Sequence, residues 1–589
     1  MTSIEKLSLD LSLIRSVYRT GDFTPKEVIQ EIYRRIQAAS EPSVWQWLRE
    51  ESASIARAEE VAEHLDLPLA GVPFAVTDMI DAADIPTTAG CPAFARVPSE
   101  SARVVKLLEA AGGILIGKTI VEQFGDGLSG TETSGGQHHS AYSDSCIAGG
   151  PSTGAALAVA SGFVSFAIGT DPTGAGQSAA AYNHLVSINP TRGLISTRGF
   201  VPGRRSLDCA SIFSTSVTDV VSVLDVLAGE DPDDPWSRAS RPVKRFARSF
   251  RFGVPKPDQR EFNADLESDV CYLRAIERLE ALGGIAVEID LEPFRAASLL
   301  ALSDSWAAEQ FEAVGDFIEA HLDAVDPTVA ARILKGKSLN AIEVFRTRHQ
   351  QEILRKMTAD VWNRIDALVV PTVPTIFSPE EARANPDALR ASLAAYTGCA
   401  GLLDLVSISV PVGYRTDGIP FGLSLMAPAF NDCEVCRLGK MVAGETLSAK
   451  IQKLSHSGDM SDIPLVVTGT HMAGGTMHHE LLSRRATFVG SVETAPDYAL
   501  YALEGEPRRP GLINVGTMMG VSIEAEVWAL APEAFASLVA SISAPMCVGN
   551  VRLKDGQIIK GFLCEEHATR KATPISAFGG WRGFLASEE

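Results

Sequence analysis

The stretch AGGPSTGAALAVASGFVSFAIGTDPTGAGQSAAA, residues 148–181, decides how the rest of the chain is interpreted. It lies in a region, residues 125–182, in which Gly, Ser, Thr and Ala largely replace bulky side chains. Such a composition is typical of either a flexible linker or a tightly packed site built from backbone. The segment LAVASGFVSFAIGTD within it has the apolar density of a buried helix followed by a buried strand. We therefore predict a packed site and not a linker.

Apolar runs on either side of this stretch predict interior strands. They are GVPFAV at 71–76, GGILIG at 112–117, FVSFAIG at 163–169, and ALVVPTVPT, LVSISVPVG and FGLSLMAP between 367 and 428. Helical patterns accompany the runs from residue 1 to 110, and residues 260–360 have the period of long amphipathic helices. Together the patterns predict an α/β fold with a sheet covered by helices on both faces.

The pattern changes near residue 450. The segment LSAKIQKLSHSGDMSDIP, residues 447–464, is polar and ends at a proline, which indicates a boundary between domains. After it, PLVVTGTHMAG, VSIEAEVWAL and KGFLCE resemble strands separated by Gly-rich turns. We predict a large domain at 1–452, a linker at 453–463 and a small α+β domain at 464–589.

Composition excludes several classes of partner. The net charge of -21 argues against nucleic acid and anionic membranes. The sequence lacks the roughly 18 consecutive apolar residues of a membrane span, and its first helix does not resemble a signal peptide. The nine cysteines are widely spaced, as expected of free thiols in the reducing cytoplasm. The only CxxC, Cys433 and Cys436, lies in a helical pattern without further ligands, so we expect no metal and no cofactor.

Three segments, in order, resemble the amidase signature family: GVPFAVTD at 71–78, AGGPSTGAALAVASG at 148–162 and GTDPTGAGQSAAA at 169–181. The phrases IPTTAGCPAFA, GILIGKT, PTRGLISTRG and RSLDCASIF narrow the resemblance to allophanate hydrolases, which deaminate allophanate in urea-degrading pathways. APDYALYAL, EAEVWAL, GFLCE and ISAFGGWRGFL resemble their accessory domain. The resemblance implies a mixed amidase-signature sheet with helices on both faces, a small C-terminal γ-glutamylcyclotransferase-like α+β domain, and a homodimer.

Family members hydrolyse amides with a Ser-Ser-Lys triad, in which a lysine deprotonates a bridging serine that activates the nucleophilic serine. The resemblance places these three roles at Thr77, Pro151 and Ala175. A threonine hydroxyl is too weakly basic to replace the lysine, and neither proline nor alanine has a hydroxyl. The triad is therefore predicted to be vestigial. Because the family's Gly-Ser peptide is cis, we also expect a cis Gly150–Pro151 bond.

Two serines remain near the lost triad. Ser178 follows the nucleophile position by three residues, but the turn that aims residue 175 would point it elsewhere. Ser152 is adjacent to residue 151 but has no base. We consider neither a good substitute.

Two further functions of an amidase site are altered. The family builds its oxyanion hole from backbone N–H groups just before the nucleophile, here Pro172, Thr173 and Gly174, and proline has no N–H. The resemblance also implies a substrate clamp of a Tyr and an Arg, which here are Leu302 and Gln310. Glutamine cannot copy the charged, bidentate fork of arginine, so allophanate is not the expected ligand.

The C-terminal domain holds the remaining candidates. TGTHMAGGTMHHELL, residues 468–482, predicts a strand, a Gly-rich turn suited to anions, and a helix start with His478, His479 and Glu480. Imidazole exchanges protons near neutral pH. Adjacent helix residues point about 100° apart, so no more than one of the two histidines is expected to face inward. For either one we favour a solvated or hydrogen-bonded structural role.

A second candidate lies in the strand IEAEVWAL. Glu526 shares a strand face with Glu524 and Trp528, where it could be a carboxyl with a raised pKa. The interpretation we favour is that this face of the sheet is exposed to water.

Three functional hypotheses follow. In the first, the amidase site is inactive and the C-terminal domain acts on a small carboxylated or acyl substrate, as a decarboxylase or lyase. In the second, the chain is a structural subunit assembled with an active enzyme of an amide or urea pathway. In the third, it is a residual amide hydrolase with an altered mechanism.

Overall fold

The computed structural model describes residues 4–39, 44–130, 136–241, 246, 250–444, 463–473, 475–484, 486–503, 505, 508–516, 520–554 and 556–588. The chain forms two compact units, residues 1–245 with 251–445, and residues 246–250 with 446–589. Apart from Ile463, the linker predicted at 453–463 lies outside the described residues.

A large mixed sheet forms the first unit. Among the described residues it has eleven strands in the order β1-β3-β2-β6-β8-β7-β12-β13-β11-β9-β10, beside a hairpin of β4 and β5. The strands are β1 (Trp45–Leu48), β2 (Pro73–Thr77), β3 (Ile114–Thr119), β4 (His139–Ser140), β5 (Ser143–Ile147), β6 (Phe166–Thr170), β7 (Val186–Asn189), β8 (Ala210–Ser214), β9 (Arg251–Pro255), β10 (Ile285–Ile289), β11 (Ala367–Pro371), β12 (Leu405–Tyr414) and β13 (Pro420–Pro428).

The helices of this unit cover the sheet. They are α1 (Leu11–Thr20), α2 (Pro25–Ala38), α3 (Glu51–Val61), α4 (Arg103–Ala110), α5 (Thr153–Ala160), α6 (Ser178–Tyr182), α7 (Val217–Leu227), α8 (Leu266–Ala281), α9 (Glu292–Ala301), α10 (Ala307–Ala320), α11 (Pro327–Ser338), α12 (Ala341–Ala359), α13 (Pro379–Ala384), α14 (Pro386–Ala394), α15 (Ala400–Leu403) and α16 (Asp432–Ala443).

Both faces of the sheet are covered, as predicted. On β12, Ile408 and Val410 lie beneath α16, close to Gly439. Leu405 has the opposite parity on the strand and packs instead in a core cluster with Phe294 of α9 and Leu354 of α12. Strands buried on both faces are largely apolar. In β12 the apolar run is interrupted by Ser407 and Ser409, whose buried hydroxyls form hydrogen bonds with Gln177 and Thr372.

The stretch that decides the fold has the predicted local structure. The buried helix is α5, which ends at Ala160, and the buried strand is β6, which begins at Phe166. The Gly150–Pro151 bond is cis, as expected.

The prediction of helices throughout residues 260–360 is wrong at Ile285–Ile289, which forms β10. This strand lies at the edge of the sheet, pairs with β9 in parallel, and has mostly partly exposed side chains. Apolar and polar residues alternate only weakly over its five positions, and the segments on either side have a helical period. The sequence pattern therefore did not distinguish this strand from the helices around it.

The second unit is a small α+β domain. Its described residues contain a five-stranded sheet, β15-β18-β14-β20-β19, and a three-stranded sheet, β17-β16-β21. The elements are β14 (Ile463–Val467), α17 (His478–Ser483), β15 (Thr487–Glu493), β16 (Tyr498–Leu503), β17 (Arg509–Asn514), β18 (Glu524–Leu530), α18 (Pro532–Ser541), β19 (Met546–Arg552), β20 (Ile558–Cys564), β21 (Thr573–Pro574) and α19 (Trp581–Glu588).

One prediction for this domain is wrong. The strand face with Glu526 and Trp528 is not exposed to water, because Glu526 is 2% and Trp528 0% exposed. The face is covered by the loop after β14 and by Arg582 of α19, which both bind the Glu526 carboxylate.

Candidate functional site

The three expected triad positions provide no nucleophile and no base. Thr77 ends β2 and is fully buried, and its hydroxyl forms no hydrogen bond among the described residues. Pro151 lines a cavity of the first unit. Ala175 does not line it and packs instead in an apolar cluster with Leu128 and Tyr182.

A lysine does lie near Thr77, on the neighbouring strand. Lys118 of β3 is fully buried, and its Nζ lies 2.7 Å from Asp78 Oδ1. The same Nζ donates to Thr87 Oγ1 at 2.7 Å and to Pro86 O at 2.9 Å. Burial lowers the pKa of Lys118, and the nearby Asp78 opposes that shift. Because the ammonium already faces a carboxylate and two acceptors, and does not line the cavity, it has a structural role.

The N–H groups of the oxyanion loop are occupied. Those of Thr173 and Gly174 donate to Asp171 Oδ1 at 3.2 and 2.7 Å. The N–H of Ala175 donates to Thr173 Oγ1 at 3.1 Å, and Pro172 has none. Burial raises the pKa of Asp171 to about 6, although the N–H groups of the loop oppose this shift. In this conformation the loop offers no free donor to an oxyanion.

The two remaining serines are bound to backbone. Ser152 Oγ accepts the N–H of Thr170 at 3.0 Å, and Ser178 Oγ donates to Gly150 O at 3.3 Å. Both side chains are buried and neither lines the cavity.

The cavity of the first unit brings several of the predicted residues together. Leu302 and Gln310, the positions of the lost clamp, line it together with Pro151, Pro172 and Thr173. Its volume is about 30 Å³, enough for roughly one or two water molecules. Two arginines that the sequence did not single out, Arg204 and Arg390, also line it.

The second unit contains a larger cavity, of about 160 Å³. Of the residues predicted here, Glu480 lines it, and His478 and His479 do not. The His478 ring packs against Trp528 with centroids 5.1 Å apart. His479 is exposed, with Nδ1 3.1 Å from Thr476 O. One histidine of the pair thus packs against the core and the other faces solvent, and neither lines this cavity.

The histidine in this cavity is His471, which the sequence analysis missed. Its Nε2 lies 3.7 Å from Glu480 Oε2, and its ring lies 4.8 Å from the Phe562 ring. Burial is the main cause that lowers the pKa of His471; Glu480 opposes the shift and Arg509, which lines the same cavity, adds to it. Its place just after β14, where loops carry functional groups, was the available signal.

Glu526 is a structural carboxylate. Its Oε2 accepts the N–H of Ala473 at 2.8 Å and the indole Nε1–H of Trp528 at 3.0 Å. Its Oε1 accepts from Arg582 Nη2 at 2.6 Å. These bonds fix the loop that carries His471, but Glu526 does not line the cavity.

A helix-covered mixed sheet with a Gly-Ser-rich signature loop, followed by a small β-rich domain, defines the class of amidase-type proteins with an accessory domain. The family model described as Amidase matches residues 27–436. The model described as allophanate hydrolase C-terminal domain matches residues 463–586. The chain therefore belongs to the amidase family, among the members that carry an allophanate hydrolase C-terminal domain.

Similar proteins support this assignment. The chain is 35% identical over 557 residues to a urea amidolyase of Lachancea kluyveri, covering 90% of this chain and 30% of the relative. It is 33% identical over 545 residues to the urea amidolyase of Saccharomyces cerevisiae, covering 88% of this chain and 30% of the relative. The chain thus spans about 30% of the length of these curated relatives.

Solved structures share the complete fold. A Kluyveromyces lactis allophanate hydrolase with one serine replaced by alanine gives a TM-score of 0.74 at 29% identity, covering 100% of both chains. The structure of the Kluyveromyces lactis urea amidolyase gives a TM-score of 0.74 at 28% identity, covering 100% of this chain and 37% of the other. Within the described part of the chain, no helix combines the length and apolar character needed to cross a membrane.

Proposed function

We propose that this family member does not hydrolyse amides at its N-terminal site. We also propose that the C-terminal cavity around His471 acts on a small carboxylated or acyl substrate, as a decarboxylase or lyase. The observation that carries the second part is the His471–Glu480 pair, 3.7 Å apart in a cavity that Arg509 also lines.

Loss of the amidase reaction is supported by independent features. Positions 77, 151 and 175 offer neither base nor nucleophile, and Ser152 and Ser178 have no base beside them. Removal of one oxyanion donor alone typically raises the barrier by about 2.7–4 kcal/mol. Here the loop N–H groups bind Asp171 and Thr173 instead.

The chemistry of the C-terminal cavity fits a carboxylated substrate. A guanidinium such as Arg509 binds a carboxylate through a planar fork. When the bond to that carboxylate breaks, CO2 leaves, and the atom left behind takes up a proton. His471 can deliver this proton when its ring is protonated, because imidazole exchanges protons near neutral pH. Burial lowers the pKa of His471 and Glu480 opposes that shift, so the reaction should be faster on the acid side of neutral pH.

The proposal is tested on the full chain. We would measure CO2 release from malonate, oxamate and an N-carboxylated amine, and ammonia release from allophanate. The rate of CO2 release should fall by at least about 100-fold in His471→Gln, in line with general acid-base catalysis. His479→Gln, the matched exposed control, should retain it.

Two outcomes would contradict the proposal. Equal rates of CO2 release by His471→Gln and the parent chain would show that His471 takes no part in the reaction. Ammonia release from allophanate that disappears in Ser152→Ala or Ser178→Ala would instead show a working amidase site.

An assembly role is the second candidate, and one surface favours it. On α12, Ile342, Phe345, Ile353 and Met357 are each more than half exposed, and their helical spacing places them on one face. We propose that this apolar stripe is the contact surface of a homodimer. We further propose a cytoplasmic location without nucleic-acid partners, which agrees with nine free cysteines and a net charge of -21.

A further inference from the structure

Arg204 is a buried cation that faces the cavity of the first unit. It is 6% exposed and lines the cavity. Its Nη1 donates to Ala301 O at 2.5 Å, and its guanidinium forms no ion pair or other side-chain hydrogen bond with the described residues. A buried charge normally has a charged partner, because removing it from water is unfavourable. Among the described residues, the Arg204 guanidinium therefore has no carboxylate in direct contact; Asp126, Asp208 and Glu309 act on it only through space.

The charges around Arg204 do not supply a direct counter-ion. Asp126 is shared by Arg332, whose Nε lies 2.5 Å from Oδ2, and by Arg390, whose Nη1 lies 3.2 Å from the same oxygen. One carboxylate thus faces two other guanidinium groups. The Asp208 carboxylate binds the backbone instead: it accepts hydrogen bonds from the N–H groups of Gly203 and Arg204 at 3.2 and 2.8 Å.

The other residues that line the cavity do not prevent an anion from binding. Leu302 and Gln310 are uncharged, and Asp171, which also lines the cavity, accepts the N–H groups of its own loop. The volume of about 30 Å³ limits a ligand to a few atoms. A planar carboxylate matches the fork of a guanidinium better than a spherical ion does.

We propose that the former amidase cavity binds a small planar anion of the carboxylate type, the size of formate or bicarbonate, through Arg204 with Arg390 as the second cation. The cavity then keeps ligand binding without hydrolysis. Because it involves no C-terminal residue, this site is independent of the chemistry proposed around His471.

The test is calorimetric titration of the full chain with sodium formate at constant ionic strength, with Arg509→Gln in every protein so that the C-terminal cavity does not contribute. Saturable binding is expected for the parent chain. Arg204→Gln should weaken it by at least about tenfold, since it removes a charge-assisted bidentate contact. Arg205→Gln removes the same charge from the exposed neighbouring position and should bind as the parent does.

A second variant leaves Arg204 unchanged. Leu302→Phe enlarges a side chain of the cavity wall and should abolish formate binding, even if Arg204→Gln proves too unstable to purify. The proposal is overturned if the parent chain shows no saturable heat, or if formate binds Arg204→Gln or Leu302→Phe as tightly as the parent. Equal weakening by Arg205→Gln would also overturn it, because the effect would then be one of net charge.

Discussion

Glu480 Oε2 lies 3.7 Å from His471 Nε2 at the wall of the C-terminal cavity. The turn between them is closed by the N–H of Met477, which donates to Thr470 O at 2.9 Å. The loop is also anchored by Ala473, whose N–H binds the Glu526 carboxylate. Backbone hydrogen bonds thus fix the positions of His471 and Glu480 relative to each other, as the proposed reaction requires.

The first prediction concerns the protonation of His471. Burial and Arg509 lower its pKa and Glu480 raises it, so its pKa should lie below the ordinary value of about 6.5. Glu480→Gln should lower the pKa further because it removes the carboxylate that favours the imidazolium. Arg509→Gln should raise it. The pKa is measured by NMR titration of the histidine ring in the full chain.

His184 of the first unit serves as the internal control for this titration, since burial alone lowers its pKa and it should titrate in the same way in all three proteins. A His471 pKa that does not move in Glu480→Gln would show that the pair is not coupled.

The second prediction concerns the amidase site. The triple variant Thr77→Lys, Pro151→Ser and Ala175→Ser restores the family side chains but should not release ammonia from allophanate. The N–H groups of Thr173 and Gly174 would still bind Asp171. Leu302 and Gln310 would still provide no guanidinium to bind the carboxylate of allophanate.

Ammonia release is measured on purified protein, with a folded far-UV circular dichroism spectrum as the control. Recovery of allophanate hydrolysis by these three changes alone would show that the pocket is intact. It would contradict the proposed remodelling.

The third prediction separates the structural role of Glu526 from catalysis. Glu526→Ala leaves the N–H groups of Ala473 and Trp528 without an acceptor, so the free energy of unfolding should fall by about 1–3 kcal/mol. Glu524→Ala also removes a carboxylate bonded to Arg582. That pair is about 40% exposed on both sides, so the loss should stay below about 1 kcal/mol. Urea denaturation measures both, and equal losses would refute the distinction.

The runs of apolar residues predicted most strands of the large domain. Strands buried on both faces are largely apolar wherever they lie in the sheet, so they can be recognised without knowing the strand order. Apolar density also located α5 and β6, and the family resemblance predicted the cis Gly150–Pro151 bond. Burial of single polar residues was not predictable in this way. His471 is buried by Phe562, 91 residues later, and Arg204 binds Ala301, 97 residues later. Only the tertiary fold creates those surroundings.

The fourth prediction is that formate binding strengthens as the pH falls. The charged groups around Arg204 are Arg390, Arg332, Asp126, Glu309 and Asp208, and Asp171 lines the same cavity. Burial raises the pKa of Asp208 and that of Asp171 to about 6. Both carboxyls therefore lose their negative charge as the pH falls through this value, and their repulsion of an anion is lost with it.

Titrations at about pH 5.5 and about pH 7.5 measure this dependence. Asp208→Asn should bind formate more tightly than the parent at the higher pH and should vary less between the two conditions. If the variant keeps the full pH dependence, Asp208 is not its source.

The fifth prediction concerns assembly through the apolar stripe of α12. Ile353 is 52% exposed, so Ile353→Asp should not disturb the core but should place a charge in the proposed contact. The protein should then sediment as a monomer, and the parent chain as a dimer. Ser52→Asp adds the same charge to an exposed position on another helix, α3, and should leave the dimer intact.

Sedimentation at several protein concentrations measures the oligomeric state directly. A parent chain that sediments as a monomer, or an Ile353→Asp variant that keeps the dimer, would rule out this contact. Loss of the dimer in Ile353→Asp but not in Ser52→Asp would instead assign the contact to the apolar stripe, because both variants carry the same added charge.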